Sequence, residues 1–257
     1  MTKDYILQTH DLCKGFKGFT AVNKVNLNVR RGSIHALIGP NGAGKTTCFN
    51  LLTKFLTPTS GKIVFDGIDI TRDAPAKIAR RGVIRSFQIS AVFPHMTVLE
   101  NVRVGLQRSL NADFKFWVNE GSLSLLNDKA VQLLDEVGLA KYADEQAVNL
   151  SYGRKRALEI AATLAMEPVL MLLDEPTQGM GHEDVENVTQ LIAKVAVGRT
   201  ILMVEHNMSV ISGIADRITV LQRGAILAEG TYAEMAADPA VIEAYMGSTD
   251  SELEGVH

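Results

Sequence analysis

The 257-residue sequence has few of the features that would take it out of the ordinary globular class. Its only cysteines are Cys13 and Cys48, too few for a disulfide framework, so reduced thiols in a cytosolic setting are the default. No apolar run approaches the roughly 18 residues that a spanning helix requires. No basic-then-apolar leader opens the chain. A protein of this kind that serves a membrane does so from the aqueous side. Excess charge is missing too: 26 basic residues against 29 acidic ones leave a formal charge of -3, which gives no global attraction to nucleic acid. Internal repeats, low-complexity tracts and sustained heptads are absent from the sequence.

What is present is an apolar content of 46% with 21% charged residues, enough in a chain of this length for one large domain or a core with a subdomain. The chain is organised around Gly39 to Thr47, GPNGAGKTT. Gly39, Gly44, Lys45 and Thr46 satisfy the pattern G-x-x-x-x-G-K-[ST], and Pro40, Asn41, Gly42, Ala43 and Thr47 complete the loop. Ser33 to Ile38 reads as a buried strand before it, and Thr46 to Phe55 as a helix after it. Glycines let backbone N–H groups approach phosphate closely, and the helix N-terminus adds partial positive charge. In such a loop Lys45 reaches the β- and γ-phosphates and Thr46 gives its hydroxyl to Mg²⁺.

Around the loop, Ile6 to Leu12 forms a first strand, and Val25, Leu27 and Val29 alternate with polar residues as in a half-buried strand. Ile63 to Phe65 is a further strand between turn glycines. Together they predict a small antiparallel region beside a parallel core. Beyond Arg81 to Gln88, Thr97 and Glu100 have capping-box spacing, with Val102 and Leu106 following on one face. Phe114, Phe116 and Trp117 either pack on a neighbouring helix or belong to a partner-contact patch. Asp128 to Val137 reads as a helix with Val131, Leu134 and Val137 on one side, closed by Gly138. Ser151 precedes a stronger helix, Tyr152 to about Met166. In its first turn Arg154, Lys155 and Arg156 oppose the helix dipole, so either an anion sits nearby or the face is solvated.

The run VLMLL, Val169 to Leu173, fits a central parallel strand and ends in Asp174 and Glu175. Open α/β sheets bind ligands at that edge. Glu183 to Val195 is a helix, Thr200 to Val204 a strand followed by Glu205 and His206, and Ile218 to Leu227 a hairpin around Gly224. Thr231 with Glu234 forms a second capping box, Asp238-Pro239 starts a last helix, and Gly247 stops it. Asp174 supplies the hard oxygen that Mg²⁺ needs, and Glu175 is placed to orient or deprotonate an attacking water.

In this order the motifs resemble the nucleotide-binding subunit of an ATP-binding cassette (ABC) transporter, from about Asp4 to Gly247. They are GPNGAGKT, Gln88, LSYGRKR at Leu150 to Arg156, LLDEPT at Leu172 to Thr177, and His206. The resemblance implies an α/β fold: a P-loop NTPase core with a parallel sheet, a small antiparallel β subdomain and an inserted helical subdomain. It implies one domain over 1–247, with helices at about 90–166 and a frayed tail at 248–257. It places Phe16 against adenine, Gln88 near Mg²⁺ and water, and His206 as the switch histidine linked to the γ-phosphate. Ser151 and Gly153 are placed on the γ-phosphate of the opposite subunit's ATP. Tyr152, Gly153 and Arg154 replace the usual Gly-Gly-Gln centre, and Gly181 stands where many relatives carry an aspartate.

The subgroup resemblance is to the larger ATP-binding subunit of branched-chain amino acid importers, through Phe87-Gln88, LSYGRKRALEIA, MVEHNM and VIEAYMG. It implies ATP and Mg²⁺, a homo- or heterodimer with a second ABC ATPase, two transmembrane permeases and, indirectly, a periplasmic binding protein. It further implies a place on the cytoplasmic face of a bacterial inner membrane, and no nucleic acid. Urea, other amides or aromatic acids are alternative cargoes. Soluble ABC ATPases of ribosomes or DNA maintenance are a second class, disfavoured by the single site and the absence of heptads. A non-hydrolysing subunit is a third, which the intact catalytic residues argue against.

Overall fold

The structure, a computed structural model, describes residues 4–86, 92–107 and 120–245. The chain begins with β1 (Tyr5–Phe16), β2 (Phe19–Val25), β3 (Asn28–Arg30) and β4 (Ile34–Ile38), then α1 (Lys45–Leu52), β5 (Ser60–Phe65) and β6 (Ile68–Asp69). α2 (Pro75–Arg80) and β7 (Val83–Ser86) lead to α3 (Val98–Gln107), α4 (Glu120–Glu136) and α5 (Tyr152–Leu164). β8 (Leu170–Asp174), α6 (His182–Val195), β9 (Thr200–Val204) and α7 (Met208–Ile214) alternate thereafter. The chain closes with the hairpin β10 (Arg217–Gln222) and β11 (Ala225–Gly230), α8 (Tyr232–Ala237) and α9, residues 239–245.

The core sheet has the order β11-β10-β4-β9-β8-β7, parallel from β10 to β7, with β11 antiparallel at the edge. Its central strands are mainly apolar because both faces are covered, with His35 of β4 and Thr200 of β9 as buried polar exceptions. Successive side chains on a strand point to opposite faces. Thus Met171 and Leu173 of β8 enter the core beneath α3, α4 and α5, while Leu170 and Leu172 enter the one shared with α1 and the antiparallel sheet. β9 divides in the same way, with Ile201 and Met203 on one side and Leu202 and Val204 on the other. Cys48 lies in the second core, where burial pushes its thiol up to about 12, so it stays protonated.

The antiparallel sheet departs from expectation in two ways. β1 runs past Leu12 to Phe16, because its far half pairs with β2 and its near half with β3 and β5. Val25, Leu27 and Val29 are all buried, but they do not share one strand. Lys24 is forced to a φ of 47°, and Leu27 instead donates its N–H to Thr9 Oγ1 at 2.8 Å, so the chain breaks between β2 and β3.

The helical layer is α3, α4 and α5, with α3 packed on both others. Glu100 Oε2 accepts from Thr97 N–H at 2.8 Å and Thr97 Oγ1 from Glu100 N–H at 3.1 Å, the reciprocal cap that the spacing predicts. Gly105 lets α3 close on α5: a Cβ there would stand 2.8 Å from both the Ala162 carbonyl oxygen and the Ala165 Cβ. α4 starts at Glu120, a full two turns before the predicted Asp128. Its buried face is Leu126, Ala130, Leu134 and Val137, whereas Val131 is 44% exposed, contrary to expectation. Helical geometry accounts for this: Ala130 lies four residues from both Leu126 and Leu134, and Val131 falls one position off that stripe. Phe114, Phe116 and Trp117 lie outside the described residues. At the C-terminal end both predicted starts hold: Thr231 and Glu234 form a capping box, and Asp238 Oδ1 accepts from Ala240 N–H at 2.8 Å at the head of α9.

Candidate functional site

Because β4, β9 and β8 are neighbours in the sheet, their C-terminal ends open on one edge. The phosphate loop leaves β4, His206 follows β9, and Asp174 and Glu175 end β8. Residues 129 positions apart in sequence, Lys45 and Asp174, therefore meet by topology.

The loop is held by backbone contacts that only glycine permits. Gly39 has a φ of 147°, and a Cβ on it would lie 2.1 Å from the Leu221 carbonyl oxygen of β10. Gly44, at φ 101°, caps α1 and would place a Cβ 2.4 Å from the carbonyl of Ala21 in β2. Gly224, in the β10–β11 turn, donates its N–H to Ala43 O at 3.0 Å, and Ala43 N–H donates to Pro40 O at 3.1 Å. The Lys45 ammonium crosses the inside of the loop to Gly39 O at 2.6 Å and Pro40 O at 3.0 Å. Burial lowers its pKa, and the nearby carboxylates of Glu175 and Asp174 oppose that shift. A cationic donor inside a ring of backbone groups, at the head of a helix, is built to receive phosphate.

Asp174 is 2% exposed and pairs with Arg85 Nη2. Arg85 also donates to Asn50 Oδ1 at 2.6 Å, with its guanidinium 5.8 Å from the centre of the Phe49 ring. One cation from β7 thus ties α1 to the end of β8. Sequence reasoning missed Arg85; the available signal was a lone charge in the otherwise apolar stretch GVIRSF. Glu175 turns the chain at φ 46°, a conformation that costs a non-glycine residue about 1–3 kcal/mol and that concentrates at functional sites. Its N–H is anchored on Val204 O at 2.9 Å.

Glu205 is the second residue overlooked, although an acid directly after a core strand was visible. Fully buried, its carboxylate accepts from the Thr177 N–H at 3.1 Å and the Thr177 hydroxyl. It also accepts from His206 N–H at 2.8 Å and Asn207 N–H at 3.0 Å. One buried carboxylate therefore sets the loop after β8 against the loop after β9. The His206 ring projects from that frame and is 60% exposed.

Arg156, predicted to join a basic cluster at the head of α5, is instead buried. It pairs with Glu159 at 2.5 Å and donates from Nε to Pro176 O at 3.0 Å, bracing the segment after Glu175. Arg154 stacks on Tyr142, 4.3 Å from the ring centre. The charge that departs from the usual motif thus contacts the helical layer. Tyr152 donates its hydroxyl to Gln178 O at 3.1 Å, and Gly181 is the N-cap of α6.

Ser151 and Gly153 are not brought to the phosphate loop. They line a separate cleft of about 310 Å³ with Glu183, Asp184 and Asn187, and Ser151 is exposed with no side-chain cap bond. Phe16 ends β1, 47% exposed, with the Lys14 ammonium 5.3 Å from its ring centre. Thr46 and Thr47 sit in the first turn of α1. Gln88 lies outside the described residues. Thr46 and Asp174 offer the hydroxyl and carboxylate oxygens that suit Mg²⁺, and no cluster of three or more His, Cys, Asp or Glu side chains offers a rival metal site among the described residues.

The ABC transporter family matches residues 22–178, and a branched-chain amino acid ATP-binding cassette transporter family matches residues 225–251. The chain is 40% identical to the high-affinity branched-chain amino acid transport ATP-binding protein BraF of Pseudomonas aeruginosa, over 94% of this chain and 98% of that one. It is 36% identical to a probable branched-chain amino acid transport ATP-binding protein of Archaeoglobus fulgidus, over 97% and 98%. Among solved structures, an ATP-binding cassette of an ABC transporter in its ADP conformation superposes with a TM-score of 0.84 at 30% identity, over 95% of this chain and 99% of that one. A dimeric cassette in a post-hydrolysis state, bound to ADP and Pi, gives a TM-score of 0.73 at 25% identity, over 88% and 98%. A phosphate loop braced against paired acids at one sheet edge, in a chain related over nearly its whole length to these proteins, has one reading: it belongs to the ABC transporter family, as an ATP-hydrolysing, nucleotide-binding subunit.

Proposed function

We propose that this chain energises import of branched-chain amino acids, hydrolysing ATP at a site completed by a second ABC ATPase, identical or not. The convergence of Lys45, Asp174, Glu175 and His206 on one edge of the sheet, with Ser151 and Gly153 opening elsewhere, carries this reading. One half of the site is assembled within the chain, and the other faces outward.

Lys45 and the backbone N–H groups of the loop residues other than Pro40 hold the phosphates, and Phe16 offers its exposed ring to adenine. Thr46 and Asp174, with Gln88, would hold Mg²⁺, which supplies neutralisation of the charge on the phosphate oxygens. Glu175 positions the attacking water and accepts its proton, with His206 beside the γ-phosphate. Ser151 and Gly153 at the head of α5 face the partner's nucleotide and exclude water on closure. Cargo follows from the names of the relatives in two domains of life.

Among the described residues no helix is long and apolar enough to cross a membrane. On this reading attachment runs through two transmembrane permeases, at the cytoplasmic face of a bacterial inner membrane, with a periplasmic binding protein engaged only indirectly. A surface for the permease is supported by Phe93, Met96 and Val148, which are 49%, 39% and 44% exposed. The bonds Val148 N–H to Pro94 O at 2.9 Å and Ala147 N–H to Met96 O at 3.0 Å join their two segments.

The test uses the chain with its partner ATPase present. Glu175→Gln should bind ATP normally, lose turnover by about 10²–10⁴-fold, and accumulate as an ATP-dependent dimer by light scattering. Ser151→Arg should block that dimer and leave ATP binding by the monomer intact. Full turnover by a demonstrably monomeric protein would remove the two-chain site. Failure of the chain to copurify with any permease would remove the transport role.

A further inference from the structure

Asp174 and Val204 pair as the last residues of β8 and β9, so Glu175 and Glu205 leave the sheet side by side. There they part. Glu175 turns at a φ of 46° with its N–H tied to Val204 O at 2.9 Å, while Glu205 is fully buried. The two oxygens of Glu205 divide their partners by loop. Oε1 accepts from the N–H of Thr177 at 3.1 Å and from its hydroxyl, in the segment that follows Glu175. Oε2 accepts from His206 N–H at 2.8 Å and Asn207 N–H at 3.0 Å. All of these partners are donors, and an ionised carboxylate is the side chain that only accepts, on about four lone-pair sites. Among the described residues no lysine or arginine forms an ion pair with it; the basic atom in range is His206 Nδ1, 3.8 Å from Oε2. That separation is Coulombic reach rather than a hydrogen bond. It turns the Nδ1 edge of the ring towards the buried carboxylate and leaves Nε2 on the far side of a ring that is 60% exposed.

We infer that Glu205 is a positioning residue for hydrolysis: it locks the His206 loop to the segment after Glu175, so that His206 and Glu175 meet the nucleotide in one fixed relation. The physical route is geometry. Misplacing a reacting group by about 1 Å can cost on the order of 100-fold in rate, even when the change lies away from the chemistry. Glu205 touches neither nucleotide nor water in this role; it acts through the two loops that it joins. The role rests on the parts proposed for Glu175 and His206 in turnover.

The test is Glu205→Gln, assayed with the partner ATPase present. The amide keeps the size of the carboxylate but turns one oxygen into a donor, which then faces the N–H groups of one loop or the other. Binding of a fluorescent ADP analogue should be unchanged, because the contacts of the phosphate loop are untouched. The kcat should fall about 10- to 100-fold. A purely structural carboxylate would lower Tm and leave kcat unchanged, and that result overturns the inference. A second arm measures His206→Ala, alone and combined with Glu205→Gln. Residues that act as a unit are not additive, so the double variant should lose well under the product of the two single losses. Fully multiplicative losses overturn the inference alone. Full turnover by His206→Ala overturns the part proposed for His206, and the inference with it. If Glu205→Gln does not fold, Thr177→Val and Thr177→Ser take its place. Losing the hydroxyl should lower kcat with ADP binding held, and the serine, which keeps it, should recover most of the rate; a wild-type rate in Thr177→Val overturns the inference.

Discussion

Two helices in this fold, α1 and α5, begin where the proposed function places an anion, and they are prepared in opposite ways. The head of α1 is wired shut: Lys45 reaches two loop carbonyls, Ala43 is tied to the β10–β11 turn, and two glycines sit against neighbouring backbone. The head of α5 is anchored from behind, through Arg156 on Pro176 O and Tyr152 on Gln178 O, while Ser151 stays exposed. A site completed within one chain can be preorganised by that chain's own contacts. A site meant for a second molecule needs its donors presented outward and its rear face made rigid. The contacts behind α5 also join it to the segment that follows Glu175.

That contrast is open to test at both ends. On ATP binding and hydrolysis the largest effect is expected from Lys45→Ala. Losing a charge-assisted contact should cost about 1.5–3 kcal/mol of ATP binding, roughly 10- to 150-fold, and hydrolysis should fall by at least that factor. Equilibrium binding and phosphate release on the same preparation measure both, and near-normal hydrolysis would end the assignment of α1 as the in-chain site.

On stability the largest effect is expected from Arg85→Ala, which strands Asp174 in the interior at 2% exposure. Breaking one partner of a buried pair costs about 3–5 kcal/mol of stability, readable by urea denaturation. Adding Asp174→Asn should recover part of that loss, since the uncompensated charge is then gone. A cost near zero would mean that the link between α1 and β8 is not structural.

The smallest effect is expected from Gly153→Ala. Its new Cβ would stand 2.5 Å from Asp184 Oδ1, a movable side-chain end, and alanine gains about 1 kcal/mol over glycine in a helix. Stability should therefore change little and ATP binding by the isolated chain not at all, while turnover with the partner ATPase falls. Weaker binding by the isolated chain would erase the distinction between the two helix heads.

Of the site, the sequence alone determined whatever depends on local chemistry. GPNGAGKTT could be read because the spacing of its glycines, lysine and threonine answers to the shape of phosphate. The strands β4, β8 and β9 could be read because burial on two faces leaves a mainly apolar run, continuous at Val169 to Leu173. Capping boxes at Thr97 and Thr231 were legible for a similar reason, since both partners lie within one turn.

Tertiary structure alone decided which charges meet. Arg85 and Asp174 are 89 positions apart, and no local rule pairs them. Arg156 read as one of a basic cluster with Arg154 and Lys155, facing either an anion or solvent, and turns inward where Glu159 and the Pro176 carbonyl satisfy it. Val131 has the right residue type for a buried face but the wrong angle around α4, which is set by where α3 and α5 lie. The split of β2 from β3 follows from β1 serving several partners, a long-range demand that alternation in the sequence does not record.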